Sequence, residues 1–395
     1  MLLIKYGKIL TMSGQVHEKG FLAIENGKIV DIGPLEHGCI FNELKNCEIF
    51  DATGLLVMPG LIEAHCHMGI AEERVGQIGD DSNENATPIT PWLRGIDAIN
   101  TMDAAFNEAI KAGITGAMIG PGSSNIVGGQ FAFVKTSGRC IDDLIVLAPA
   151  AMKVAFGENP KTNYGEKSRQ PVTRMAIAGL LREELFKARQ YISHPFDKDH
   201  QPDFRYECWR PVFGRKIPLK AHAHRADDIF TAIRIAKEFH LDMTIEHCSE
   251  GHLITEKLKG AGYPVIVGPD LTSRNKIEIQ NLAFKTVGIL NRAGIKTAIT
   301  TDHPVSLIQS LPICAALAVK AGMDYCEALK AITIYAAEIC RVAGRVGSLE
   351  IGKDADVAVF DGDPLHSSTR AVATMIDGAI VYMDKEGEKR YTGKV

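Results

Sequence analysis

HRADDIFTAIRIAKEFHLDMTIEH, residues 224–247, carries one complete repeat of the fold. Ile229, Ile233 and Ala236 recur at helical spacing and share one face. The β-branched run DMTIEH that follows reads as a strand. The same order of helix, glycine stop and strand returns in ITEKLKGAGYPVIVGPD (254–270) and TVGILNRAGIKTAITTD (286–302). It is also present earlier, in AAFNEAIKAGITGAMIG (104–120). Repeated units of this kind imply parallel strands joined by right-handed crossovers. Residues 56–344 have room for eight such strands, which favours a (β/α)8 TIM barrel over an open doubly wound sheet.

The two ends read differently. LLIKYGKIL, GFLAIENGKIVDIG and CEIFDATG at the start, and DADVAVFDG and ATMIDGAIVYMDKEG near the end, are short alternating runs. Asn26-Gly27 and Asp377-Gly378 are hairpin turn signals. Residues 1–55 and 345–395 are therefore expected to form one small composite β-sandwich beside the barrel.

Composition narrows the function classes. The 395-residue chain is 46% hydrophobic with a formal net charge of −4, so neither nucleic acid nor an anionic membrane is an expected partner. It contains no apolar stretch of membrane-spanning length. MLLIKYGKIL lacks a signal-peptide core and reads as a strand. Nine cysteines without CxxC spacing argue against a disulfide framework and for a reducing, cytoplasmic setting.

The chemistry sits at strand ends. In LIEAHCHMG (61–69), residues i and i+2 of a strand share a face, so His65 and His67 would enter the barrel together while Cys66 points away. Two neutral imidazoles on a rigid strand form half of a site for a divalent transition metal. His222 ends IPLKAH, His247 ends MTIEH and Asp302 ends KTAITTD. Catalytic groups in this fold come from the C-terminal ends of several strands. Residues 70–97 and 157–215 fit no regular unit and are expected to be long loops over that face, the second built around one helix in TRMAIAGLLREELFKARQYI (173–192). GPGSSNIVGGQ (120–130) has no GK[ST], so it is not a P-loop, and is expected to be an irregular loop.

The motifs MPGLIEAHCH, KAHAHRADDI, TIEHCSEG, TTDHP and AGRVGSLEIGKDADVAVFDGDPL together resemble the metal-dependent amidohydrolase superfamily, in the branch of imidazolonepropionase and its dipeptidase-like relatives. The resemblance covers nearly the whole chain. It implies that His65, His67, His222, His247 and Asp302 are metal ligands. It further implies that Asp302 takes and passes the catalytic proton, with His247 as ligand or proton donor. In members with two metals a carbamylated lysine bridges them, and the matching residue is Lys153 in LAPAAMKVAFGENP. An unmodified Lys153 would mean one metal. Zinc is expected, with manganese or iron as alternatives.

The expected reaction is hydrolysis of an amide, lactam or amidine C–N bond of a small substrate by metal-activated water. Arg225 and Arg274, just beyond strand ends, suggest a carboxylate on that substrate. His224 and His303 are expected near it. The alternatives are a deaminase with one metal and a non-catalytic binding protein on the same fold. A homo-oligomer is expected from the resemblance alone.

Overall fold

The 224–247 stretch folds as its periodicity requires. Helix Ala226–Phe239 buries Ile229, Ala232, Ile233, Ala236 and Phe239, and ends at His240, which adopts a left-handed conformation with φ of 57°. The chain then turns into strand Met243–His247, whose residues are all buried. The protein is described by a computed structural model covering residues 1–35, 47–194 and 201–393. Residues 195–200, inside the expected 157–215 loop, lie outside the described residues. So do 36–46 and 394–395 of the terminal segments.

Eight strands form the barrel sheet: β1 (Leu61–Cys66), β2 (Ile114–Ile119), β3 (Val127–Lys135), β4 (Ile145–Ala155), β5 (Leu219–Ala223), β6 (Met243–His247), β7 (Val265–Val267) and β8 (Thr297–Ile299). They are hydrogen-bonded in sequence order, so the (β/α)8 plan holds with one departure. β3 runs antiparallel to both neighbours, while all other pairs are parallel. The cause is connection length. Only residues 120–126 separate β2 from β3, and a parallel crossover needs about a dozen residues or more. The reversal sends the glycine-rich 120–126 loop to the face where the other strands end.

β1 carries a bulge. Glu63 pairs with Ala117 and Cys66 with Ile119, so three steps on β1 oppose two on β2. Before the bulge Ile62 and Ala64 fill the barrel interior with Phe131, Phe133 and Ile266. After it His65 and His67 take the inward direction, and Cys66 packs outward under the helices. Gly60 opens the strand beneath Thr115, whose side chain lies 2.1 Å from where a Cβ would sit.

Strands from both ends of the chain make two further sheets. One is four-stranded, in the order Lys28–Pro34, Gly20–Glu25, Leu2–Lys5, Glu48–Asp51. The other is six-stranded, in the order Ala379–Met383, Ala371–Ile376, Val357–Phe360, Leu56–Pro59, Lys8–Leu10, Val16–His17. Ile4, Leu22, Phe50, Val57, Val357 and Met375 form the core between them. Asn26-Gly27 and Asp377-Gly378 have φ of 50°, 77°, 48° and 75°, the left-handed pair that a tight hairpin requires. This unit is tied to the barrel by a buried ionic cluster. Lys135 Nζ, at the end of β3 away from the histidines, lies 3.0 Å from Asp354, 2.7 Å from Asp356 and 3.2 Å from Asp377.

Candidate metal centre

Six ligand-type side chains and one buried lysine meet where the strands end. His65, His67 and Asp302 form one group, and His222, His224 and His247 another; within each group the ligand atoms lie within 4.8 Å of one another, and all six residues are buried. Asp302 Oδ1 is 3.4 Å from His65 Nε2 and 3.3 Å from His67 Nε2. The ring centroids of His65 and His247 are 5.2 Å apart, so the two groups adjoin. Lys153 lies between them with its Nζ 3.3 Å from His65 Nε2.

The backbone bends to deliver these groups. His247 and Asp302 have φ of 70° and 51°, a left-handed conformation that is uncommon outside glycine and costs on the order of 1 kcal/mol or more. Each leaves its strand on that turn and is held by neighbours. His67 Nδ1 lies 2.7 Å from the Gly120 carbonyl and His247 Nδ1 2.7 Å from the Gly268 carbonyl. A carbonyl accepts only, so Nδ1 carries the proton in both rings. The Nε2 lone pairs are then left for a metal. Gly268, with φ of 126°, is the only residue type that fits, because a Cβ would sit 2.3 Å from the Thr300 carbonyl oxygen. His65 Nδ1 faces Glu246 Oε2 at 3.0 Å, and Lys220 Nζ pairs with the same oxygen at 2.9 Å. His224 Nδ1 meets Ser249 Oγ at 2.8 Å.

The donor set fits a divalent metal. Burial holds His65, His222 and His247 well below the usual histidine range, with neighbouring cationic groups adding to the effect. His224 falls to about 4, again chiefly through burial. Neutral imidazole is the form that coordinates. Burial would raise the Asp302 carboxyl, but the neighbouring His247 and His67 outweigh it and keep the group below its usual range. The buried Asp302 Oδ1 at the centre has no hydrogen-bond partner. An orphaned acceptor in such a place is what a bound cation would satisfy. Burial also lowers Lys153 to about 8, although Asp302 and Glu246 pull the other way.

A cavity of about 570 Å3 opens above the centre, with His67, His222, His224 and Asp302 at its floor. Both irregular stretches line it: Asp80, Ser82 and Asn83 come from 70–97, and Glu158, Asn159, Thr162 and Asn163 from 157–215. The glycine-rich loop adds Ser123 and Ser124. Sequence reasoning missed the cation in this wall. Lys276 lines the cavity and its Nζ donates to Asn159 Oδ1 at 2.6 Å. That contact turns Asn159 Nδ2 toward Ser123 Oγ, at 2.8 Å, and His222 Nε2, at 3.4 Å. The two arginines singled out from sequence lie elsewhere. Arg225 pairs with Asp227, and Arg274 donates to the Leu282 carbonyl; neither lines the cavity. His303 is buried behind Asp302, accepting at Nδ1 from the Ile308 N–H, and only its neighbours Pro304 and Val305 reach the cavity.

Comparisons with known proteins agree with this architecture. Residues 56–391 match the family model described as Amidohydrolase family. The crystal structure of an amidohydrolase from Thermotoga maritima MSB8 superposes with a TM-score of 0.91 at 36% identity, covering 97% of this chain and all of that one. The amidohydrolase tasK of Hapsidospora irregularis is 26% identical over 85% of this chain, which spans only 37% of that protein's length. An imidazolonepropionase from Brevibacillus brevis is 24% identical, covering 87% of this chain and 84% of its own.

Proposed function

This chain belongs to the amidohydrolase family, and on that premise we propose that its His/Asp centre holds divalent metal and hydrolyses an amide or lactam bond. The chain is a hydrolase of carbon–nitrogen bonds acting on a small molecule. The observation that carries the reading is the convergence of the two buried ligand groups, with His67 and His247 locked by carbonyls so that their Nε2 atoms stay free. A divalent metal bound there supplies Lewis acidity and an activated water near neutral pH. Zinc is the first choice for a nitrogen-rich donor set, with manganese and iron as alternatives.

The chain's own residues do the rest. Asp302 accepts the proton of the attacking water on its carboxylate and returns it to the leaving nitrogen. Lys153 is the candidate for carbamylation. Its amine attacks CO2, forming an N–C bond and releasing one proton, and the product is an anionic ligand between the two groups. Burial and a lowered pKa, which raise the share of free amine, support this. Lys276 is the candidate partner for a substrate carboxylate, with Asn159 and Ser123 orienting the polar backbone of the substrate. A deaminase with one metal is the second reading. In that reading Lys153 stays unmodified and keeps its Nζ contact to His65 Nε2 at 3.3 Å.

Elemental analysis of protein prepared with zinc and bicarbonate tests the reading. About two metals per chain supports the bridged centre and directs the screen to dipeptides, N-acyl amino acids and cyclic amides. One metal transfers the case to imidazolone-type rings and deamination. None ends the metal-hydrolase reading. A cytoplasmic setting is supported by eight described cysteines, all free thiols; among the described residues no helix is long and apolar enough to cross a membrane. A homo-oligomer, expected from the family resemblance, is tested by light scattering.

A further inference from the structure

The barrel sheet has an open seam. Its ladder order begins at β8 and ends at β1, and among the described residues no ladder joins those two strands. Yet His65 and His67 stand on one side of the seam and Asp302 on the other. The spacing of that group therefore depends on what crosses the gap.

One side chain makes most of the crossing. Glu63 of β1 is fully buried. Its Oε1 accepts from the His65 N–H at 3.1 Å and from Thr300 Oγ1 at 2.5 Å. Its Oε2 accepts from the Thr301 N–H at 2.9 Å and from Thr301 Oγ1 at 2.6 Å. Thr300 Oγ1 also lies 2.6 Å from the His65 carbonyl oxygen and accepts from the Asp302 N–H at 2.9 Å. A single backbone bond, from the His67 N–H to the His303 carbonyl at 2.8 Å, reinforces the seam above. Burying a carboxylate is costly unless donors fill its lone pairs. Here three of the four donors come from the two residues directly before Asp302. The acid therefore grips the strand end that carries Asp302, and does so from two residues before His65.

We propose that Glu63 is a positioning residue, a carboxylate staple across the barrel seam that sets the spacing of His65, His67 and Asp302. Its consequence for catalysis rests on the metal-hydrolase reading; the staple itself rests on the geometry alone. The test compares parent protein with Glu63→Gln, which keeps the shape but turns an NH2 toward two of the donors. Both are equilibrated with buffered zinc and, separately, cobalt(II). Bound metal, the visible cobalt spectrum and native-state amide exchange are then recorded.

In folded Glu63→Gln, metal affinity at the His65/His67/Asp302 group falls about 10–100-fold, the range for losing a group that orients ligands, and the cobalt spectrum changes. The His67 and Thr301 amides exchange about tenfold faster, while Ala223 and His247, across the barrel, keep their rates. Thr301→Val removes one donor and gives the same pattern at smaller amplitude, which keeps the test decisive if the glutamine variant does not fold. Unchanged affinity and spectrum in a folded variant would overturn the proposal. So would a uniform rise in exchange throughout the barrel, the mark of ordinary core support. If the parent takes up no metal, the functional reading fails by itself, and the local exchange rates alone decide the staple.

Discussion

Lys135 and Lys153 lie on adjacent strands of one barrel, both buried, and their surroundings are opposite. Lys135, at the end of β3 facing the terminal sheets, is surrounded by Asp354, Asp356 and Asp377, and the aspartates raise its pKa against the effect of burial. Lys220, also buried, pairs with Glu246 and donates to the Ala64 carbonyl. Lys153 has no carboxylate at ion-pair distance among the described residues; it meets a histidine and the face of Phe131, and its pKa drops to about 8. A buried amine matched to acids serves the fold. A buried amine left without an acid keeps a larger share of its neutral, nucleophilic form, which is what the carbamylation proposed for Lys153 needs.

The comparison breaks most severely at Asp302. Asp302→Asn keeps the size of the side chain and removes its capacity to take a proton. kcat is expected to fall about 10²–10⁴-fold, the contribution of a positioned general base, with the denaturation midpoint nearly unchanged. Lys135→Met is the counterpart at the other end. Removing one partner from a buried ionic cluster costs about 3–5 kcal/mol, so urea unfolding shifts strongly while kcat per folded molecule stays the same. If Lys135→Met cut kcat in the folded protein, the division between the two ends would be wrong.

Lys153→Met follows. Activity is expected to fall at least about 100-fold, beyond the loss for a group that merely orients ligands, and bound metal falls with it. Stability holds or rises, since a buried unpaired amine gives way to an apolar chain of similar length. A loss of stability as large as that of Lys135→Met would show that Lys153 is structural.

Acid titration sharpens the contrast at lower amplitude. In the folded state Asp354 is pulled down to about 2 from an ordinary 3.8: burial opposes the drop, while Lys28, Lys135 and Arg345 more than offset it. A lowered carboxyl contributes stability that is full above the unfolded value and lost as pH falls from about 4 toward 2. The loss is on the order of 2 kcal/mol from Asp354. Asp356, raised mainly by burial, acts in the opposite direction and reduces the net slope. Urea midpoints at pH 5 and pH 3 should separate in the parent and draw together in Lys135→Met.

What the sequence disclosed follows the same physics. His65 and His67 were legible because a strand repeats every two residues, and His222, His247 and Asp302 because they close β-branched runs. Lys153 was reached through the family resemblance, which picks out the one amine of an apolar run. The bulge in β1 was hidden, because the pair obeys the i, i+2 rule on either side of it. The reversal of β3 was hidden by its glycines, although the short 120–126 connection was the available signal. Glu63 looked like one more residue of an apolar strand, and only the donors across the seam identify it. Lys276 and Asn159 sit on loops, where no period fixes which way a side chain turns.

That last point yields the smallest and most discriminating expectation. Arg225 and Arg274 were chosen for charge and for nearness to strand ends, yet Arg225 is held by Asp227 and Arg274 by the Leu282 carbonyl, and neither arginine lines the cavity. An exposed pair such as Arg225–Asp227 is worth about 0–1 kcal/mol, so a double Arg225→Ala, Arg274→Ala variant should keep KM for an anionic substrate within about twofold. Lys276→Ala should raise that KM about tenfold, equivalent to about 1.4 kcal/mol of binding, and leave kcat nearly constant because the amine lies in the wall and not at the reacting bond. The opposite pattern would move the anion site out of the cavity wall. It would also remove the main support for placing the substrate between Lys276 and the histidines.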